Sequence, residues 1–279
     1  MENPYLPKNV KIEKIIDETV GKDIKSFVFS FLKPQDREAF SYHPGQFAEI
    51  SIAGAGEIPI GIASSPSEGA EVKFTVKKMG VVTKDLHNSS PGRIIGLRGP
   101  YGNGFPMEEL KGKNIVIVGG GFAFTTLRSL AVYLMDDSRR KDYGDITIIY
   151  GARTPGDLIY RQELEAWSSR EDLKVQVTVD KGNADWKGRE GFIPPIVKEV
   201  APSADNAIAL VCGPPIMIKL TIPILFDLGF APNKILNSLE MRMKCGFGKC
   251  GRCNIGNKYV CKDGPVFTFE ELQKLPQEY

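Results

Sequence analysis

Histidine is nearly missing: the 279 residues include only two, His43 and His87, with two tryptophans. No histidine stands with a nucleophile and an acid in a triad pattern, so hydrolytic catalysis of that type has nothing to organise it. His43, in a turn before Pro-Gly, and His87, on a short predicted helix, are read as structural or solvated. Long apolar runs are also lacking. The longest candidate, residues 216–226, is broken by Lys219 and Pro223 and falls short of the ~18 residues of a spanning helix. Charge of one sign is scarce: 36 Lys+Arg oppose 34 Asp+Glu, net +2, with no run of like charges. That balance leaves no footprint for nucleic acid. The opening Met1-Glu2-Asn3-Pro4 has neither the basic nor the apolar region of a secretion signal, so the expected location is cytoplasmic, without membrane insertion.

Apolar residues make up 42% and charged residues 25%, enough apolar surface to offset chain entropy in a folded protein. The length predicts about two domains at roughly 150 residues each. Phe27, Phe29 and Phe31 alternate at period two, as do Val72, Phe74 and Val76 between Lys73, Thr75 and Lys77. Turn residues such as Pro44-Gly45 and Gly99-Pro100 punctuate these runs. Residues 1–107 are therefore expected to form an antiparallel β-barrel or sandwich.

The pattern changes near Glu108. The continuous apolar run Ile115–Val118 fits a strand buried on both faces. It meets Gly119-Gly120-Gly121 and then a helical stripe of Phe124, Leu127, Leu130 and Leu134. Strand candidates at 146–150, 175–179 and 207–211 alternate with helical patterns near 160–168 and 194–200. Residues 108–236 thus predict a doubly wound parallel α/β domain. Cys212-Gly213-Pro214-Pro215 precedes a further apolar helix expected to stop near Gly229. The last segment, 237–279, is too short for a core of its own and predicts a metal staple.

The most specific chemical signal lies in that segment: Cys245-x4-Cys250-x2-Cys253, with Cys261 downstream. C-x4-C-x2-C with a fourth cysteine is the plant-type [2Fe-2S] spacing. Gly246, Gly248 and Gly251 leave the loop amides free to turn toward the sulfurs. A zinc site with four thiolates is the alternative, although its usual spacing is paired C-x2-C. The triple glycine, between a predicted strand and a helix, suits a pyrophosphate cradle, and Cys212-Gly213 would share its sheet edge.

These pieces occur in the order of one family. Pro44-Gly45-Gln46-Phe47, Ile58-Pro59-Ile60-Gly61-Ile62-Ala63-Ser64, Gly80-Val81-Val82-Thr83, Gly99-Pro100-Tyr101-Gly102, the triple glycine, Cys212-Gly213-Pro214-Pro215 and the cysteine cluster with Cys261-Lys262-Asp263-Gly264-Pro265 follow collinearly. The chain resembles the ferredoxin–NADP reductase superfamily. It is most similar to the iron–sulfur branch containing the dihydroorotate dehydrogenase electron-transfer subunit and the sulfhydrogenase gamma subunit.

The resemblance implies a flavin, usually FAD, with its ring against Ile58, Pro59, Ile60, Gly61 and Ile62. It implies a flavin pyrophosphate near Gly80, Val82 and Thr83, with the Thr83 hydroxyl donating. NAD(H) or NADP(H) would place its pyrophosphate on Gly120 and Gly121 and its nicotinamide beside Cys212, Gly213 and Pro214, with Cys212 as the catalytic candidate. The family's Arg-x-Tyr-Ser flavin motif is replaced here by Ile58, Ile60 and Gly61, which leaves FMN as an alternative to FAD. The implied function is electron transfer between NAD(P)H and a partner redox subunit (a hydrogenase, a heterodisulfide-reductase-like protein or a dehydrogenase) through flavin and a [2Fe-2S] cluster. Two alternatives remain at this point. One is a flavin and iron–sulfur relay that binds no nicotinamide, its turn plugged by Phe122 and Phe124; the other is a non-redox assembly subunit stapled by zinc.

Overall fold

A computed structural model describes residues 3–240 and 243–276. The alternating first third becomes six antiparallel strands: β1 (Lys8–Asp17), β2 (Ile24–Phe31), β3 (Phe47–Ile52), β4 (Gly56–Gly61), β5 (Val72–Lys77) and β6 (Ile94–Tyr101). Their order is β4-β3-β6-β1-β2-β5. Phe27, Phe29, Val72, Phe74 and Val76 lie on the inner face, fully buried with Ile12, Ile50 and Leu97. The sheet curls until its edges nearly meet, where Ile62 makes a single bridge to Phe74. The result is barrel-like but not closed.

The second sheet holds β7 (Asn114–Gly120), β8 (Ile146–Ala152), β9 (Leu173–Val179), β10 (Arg189–Glu190), β11 (Ala207–Cys212) and β12 (Ile235–Ser238). Beyond a small hairpin of β13 (Asn254–Ile255) and β14 (Lys258–Tyr259), β15 (Val266–Thr268) completes it. The order is β10-β9-β8-β7-β11-β12-β15, parallel except for β15, which runs antiparallel to β12. The unbroken apolar run of β7 divides between two cores. Ile115 and Ile117 pack under the helices Phe124–Met135 and Arg161–Ser168, while Val116 and Val118 pack under Ile193–Val200 and Pro215–Asp227. Burial on both faces is why no alternation is visible there. The strand order reverses between β7 and β11, which opens a crevice beyond Gly120 and Cys212. Among the described residues no helix is long and apolar enough to cross a membrane.

The last segment does not stand apart. β12 runs across the expected boundary at 236/237, and β15 extends the same sheet. The core of the cysteine segment includes Phe47 of β3 alongside Met243, Val260 and Phe267.

The barrel and the α/β unit are joined by Arg128, whose side chain is only 2% exposed. Its guanidinium donates to both oxygens of Glu163 at 2.6 Å, to Glu68 at 2.8 and 2.9 Å, and to the Ala63 carbonyl at 2.7 Å. Beside it, Ser129 donates to the Ser64 carbonyl at 2.6 Å. Two consecutive residues of one helix thus hold the chain that leaves β4.

Candidate functional site

A cleft of about 280 Å³ opens where all three parts of the chain meet. Ile58, Pro59, Ile60 and Gly61 of β4, with Lys77, Met79 and Thr83, form the barrel wall. Phe122, Thr125 and Thr126 come from the glycine turn and its helix; Leu239, Glu240, Met243 and Pro265 come from the cysteine segment. A methyl group on Gly61 would collide with the methyl of Thr126, so only glycine lets β4 approach that helix so closely. The apolar wall with a few polar groups at its edge is suited to a flat ring system.

Four of the expected flavin-strand residues therefore line the cleft, and Ile62 does not. Its side chain is fully buried in the barrel core, because the strand alternation that turns Gly61 outward turns its neighbour inward. Thr83 lines the cleft, but its hydroxyl is already engaged. It accepts from the Met79 and Gly80 amides, both at 2.8 Å, and donates to the Gly80 carbonyl at 3.0 Å. A phosphate near Gly80 and Val82 would meet main-chain N–H groups of the helix Val81–His87, whose first turn lacks helical partners. Thr125, Thr126, Leu239, Glu240 and Met243 carry no signal in the sequence, since no local pattern marks a residue that reaches the cleft from another unit; Phe122, expected at the glycine turn, faces the cleft.

On the neighbouring sheet edge, Gly120 ends β7 and Gly121 adopts φ +56° with open space beside it. Directly alongside, Cys212 ends β11, pairing with Gly119 in register, and Gly213 and Pro214 follow it. The end of the Met217 side chain packs over Gly120 and Gly213. Phe124 does not plug this turn. It is fully buried and stacks on Tyr150 at 4.3 Å between ring centres. Phe122 turns instead to the cleft.

Cys212 is 2% exposed; its thiol donates to the Ser238 carbonyl at 3.5 Å and lies 3.8 Å from the Thr126 hydroxyl. Burial, with Glu240 nearby, pushes the Cys212 thiol up to about 12. It stays protonated at neutral pH and cannot serve there as a thiolate nucleophile.

The cysteine loop is wound so that amides face sulfur. Gly248 N–H donates to Cys261 Sγ at 3.1 Å; Lys249 and Cys250 N–H donate to Cys245 Sγ at 3.3 and 3.5 Å. Gly246, Gly248 and Gly251 have φ between +73° and +84°, the left-handed turns that aim these amides inward. Burial works against ionisation of Cys245, yet the Cys250, Phe247 and Lys249 amides bring its thiol down to about 6. Among the described residues no three His, Cys, Asp or Glu side chains converge on one ion-sized point. Cys245, Cys253 and Cys261 are buried, and Cys250 alone is exposed.

Below this loop, Arg98 of β6 donates to the Cys245 carbonyl at 3.1 Å and to Glu57 at 2.7 and 2.8 Å. Glu49 of β3 is fully buried without a hydrogen-bond partner among the described residues, and burial pushes its carboxyl up to about 7 despite Arg98 nearby.

A curled antiparallel barrel, a doubly wound nucleotide sheet and a cysteine loop around one shared cleft define an electron-transfer protein of the ferredoxin–NADP reductase class. Residues 11–105 match the oxidoreductase FAD-binding domain, 117–222 the oxidoreductase NAD-binding domain, and 240–273 the iron–sulfur cluster binding domain of dihydroorotate dehydrogenase B. The chain is 39% identical over 282 residues to sulfhydrogenase 1 subunit gamma of Pyrococcus furiosus, covering 99% of this chain and 95% of that one. It is 33% identical over 275 residues to the probable dihydroorotate dehydrogenase B (NAD(+)) electron-transfer subunit of Methanocaldococcus jannaschii, covering 98% and 93%. Among solved structures, an NADH-dependent reduced ferredoxin–NADP oxidoreductase superposes with TM-score 0.73 at 26% identity, covering 100% of this chain and 95% of that one. A ferredoxin NADP+ reductase from Neisseria gonorrhoeae shares the fold at TM-score 0.67 and 20% identity, over 82% of this chain and 96% of that one. The chain belongs to the family of electron-transfer subunits that includes the sulfhydrogenase gamma and dihydroorotate dehydrogenase B subunits, with FAD-binding, NAD-binding and iron–sulfur domains.

Proposed function

We propose that this subunit works as an NAD(P)H:acceptor oxidoreductase. Electrons would pass between a nicotinamide at the β7–β11 crevice, a flavin in the shared cleft and a [2Fe-2S] cluster on Cys245, Cys250, Cys253 and Cys261, and then to a partner redox protein. The observation that carries this reading is the cleft itself. One wall is the flavin strand, a second is the turn beside the nucleotide edge, and the third is the segment leading into the cysteine loop. When bound, the flavin accepts a hydride's two electrons and the cluster carries one at a time.

The residues supply positions and fields. Ile58, Pro59, Ile60 and Gly61 would cover a ring; Gly120 and Gly121 would offer main-chain N–H groups to a pyrophosphate, with open space beside Gly121. Cys212, Gly213 and Pro214 bound the nicotinamide approach, with Cys212 as a neutral packing wall. The C-x4-C-x2-C spacing with a fourth cysteine downstream, in a segment that matches an iron–sulfur cluster binding domain, supports a two-iron cluster over a single zinc. The placement of Phe124 in the core speaks for an open nucleotide turn and against a plugged relay.

The test is an anaerobic visible spectrum of the purified protein during titration with NADH, then NADPH. Flavin and iron–sulfur bands that bleach support the reading. Bands that persist with both nucleotides remove the nicotinamide step, and a colourless protein containing zinc would overturn the redox function altogether.

A further inference from the structure

Glu49 is a buried acid for which the fold has no use. It lies on β3 between Ala48 and Ile50, both fully buried in the barrel core, and is itself fully buried. Neither of its oxygens has a hydrogen-bond partner among the described residues. Arg98 lies directly opposite on β6, yet its hydrogen bonds go to Glu57, Tyr101 and the carbonyls of Pro4 and Cys245. A carboxylate taken out of water without hydrogen bonds is costly, and an uncharged side chain of similar shape would fold at least as well. Packing alone does not account for an acid here.

Its position joins the cleft to the cysteine loop. Strand alternation turns Glu49 away from the barrel core that takes Ala48 and Ile50, onto the face it shares with Phe47. Phe47 belongs to the core of the cysteine segment, with Cys245, Cys253 and Cys261. Across the sheet, Glu49 stands between Pro59 of β4, which lines the cleft, and Arg98 of β6, which holds the Cys245 carbonyl at 3.1 Å. Residues paired in this way on one sheet face are close neighbours. Glu49 is thus next to the cleft wall on one side and next to the anchor of the loop on the other.

The titratable and charged groups facing Glu49 are Arg98 and Tyr101 of β6, Glu57 of β4, and Lys244 and Cys245 of the cysteine segment. Hydrogen bonds to Glu57 keep Arg98 charged, and Arg98 in turn holds the Glu57 carboxyl below its usual range. Burial pushes the Tyr101 phenol above its ordinary value. Burial also raises the Glu49 carboxyl to about 7, so of the two carboxyls only Glu49 changes charge near neutrality. An electron added at the cysteine loop brings negative charge toward this carboxyl with little water between, which favours its neutral form.

We propose that Glu49 is a charge-compensating residue that takes up a proton when an electron reaches the cysteine loop. As one electron passes from the reduced flavin to the cluster, the Glu49 carboxylate forms one O–H bond with a proton drawn from solvent. When the electron leaves for the partner, that bond breaks and the proton returns to solvent. The inference rests on the electron-transfer reading above and adds to it a coupled proton. Its consequence is a cluster potential that falls as the pH rises.

The test is a potentiometric titration of the whole chain with its cofactors, following the electron paramagnetic resonance signal of the reduced cluster from about pH 6 to about pH 9. Between the acid and alkaline limits the reduction equilibrium should weaken about tenfold or more, which is ~59 mV for one electron. Glu49→Gln should hold the acid-side potential at every pH, and Glu49→Asp, which keeps a carboxyl, should keep the slope. His43→Gln and His87→Gln should leave the slope in place. Should Glu49→Gln lose its cluster, reduced-minus-oxidised infrared spectra of the unsubstituted protein decide the matter. A protonated-carboxyl band must then appear on reduction and move on labelling with carbon-13 glutamate. A flat profile in the unsubstituted protein, a slope that survives Glu49→Gln or vanishes in a histidine variant, or the absence of that band would each overturn the proposal and leave the electron-transfer reading standing. Absence of any resonance signal after dithionite would instead remove the electron-transfer reading, and the proposal with it.

Discussion

The guanidinium of Arg98, on the barrel strand β6, donates to the main-chain carbonyl of Cys245, the first cysteine of the metal loop, at 3.1 Å. The same group is held by both Glu57 oxygens at 2.7 and 2.8 Å and donates to Tyr101 Oη at 3.0 Å. Its side chain is 2% exposed. One buried cation therefore fixes the cysteine loop to the sheet that lines the flavin cleft.

Replacing Arg98 by Met removes that anchor and leaves the half-buried Glu57 without its partner. A cost of about 2 kcal/mol is expected, below the full penalty of a buried pair because Glu57 still reaches water. Chemical denaturation would measure the loss. A loosened Cys245 should also broaden the cluster's resonance signal, whereas Arg98→Lys, which keeps the charge but not the fork, should fall between.

Arg128 plays the corresponding part between barrel and nucleotide domain, through Ala63, Glu68 and Glu163. Arg128→Met should destabilise by about 3 kcal/mol. Its functional signature should be a slower reduction of flavin by saturating NADH with nearly unchanged nucleotide affinity. A change confined to affinity in stopped-flow traces would contradict the role given to Arg128 here.

The packing of Gly61 against Thr126 gives a reciprocal test. Gly61→Ala should force β4 from the helix and weaken flavin retention by about tenfold, the equivalent of ~1.4 kcal/mol. Thr126→Ser deletes the methyl that an alanine would strike. The double variant G61A/T126S should recover most of the lost flavin binding, measured by fluorescence on dilution; if the effects simply add, the contact is not the cause.

His87 contributes a loss of stability on the acid side, which the buried Glu49, its carboxyl raised to about 7, opposes over part of the same range. His87 is 5% exposed, Nε2 lies 2.8 Å from the Val76 carbonyl, and Nδ1 has no hydrogen-bond partner among the described residues. Burial holds the imidazole below its ordinary 6.5. The unfolded chain takes up a proton near pH 6.5 that the folded chain still refuses, so stability is full above that pH and falls as the solution is acidified through the folded value. The difference between parent and His87→Gln denaturation midpoints, which leaves the Glu49 contribution common to both, should shrink as the pH is lowered from 7.5 to 5.

Legibility followed the range of the determining forces. β2 and β5 were readable because one face meets the core and the other meets water, which writes period two into Phe27, Phe29, Val72, Phe74 and Val76. β7 was readable for the opposite reason, being apolar on both faces. The cysteine spacing was readable because a short loop must bring its own ligands together. Ile62 was misplaced because a linear motif does not say which face of the strand its last residue takes.

By itself, the sequence determined the antiparallel first part, the parallel α/β part, the order of their motifs and the spacing of the four thiols, all properties of neighbours along the chain. Only the tertiary structure decided that Phe122, Thr126, Leu239 and Glu240 join β4 in one cleft, that Phe124 leaves the turn for the core, and that Arg98 and Arg128 hold the units in register. These relations link residues tens to more than a hundred positions apart. They arise from burying charge and apolar surface between units, and no local period records such a contact.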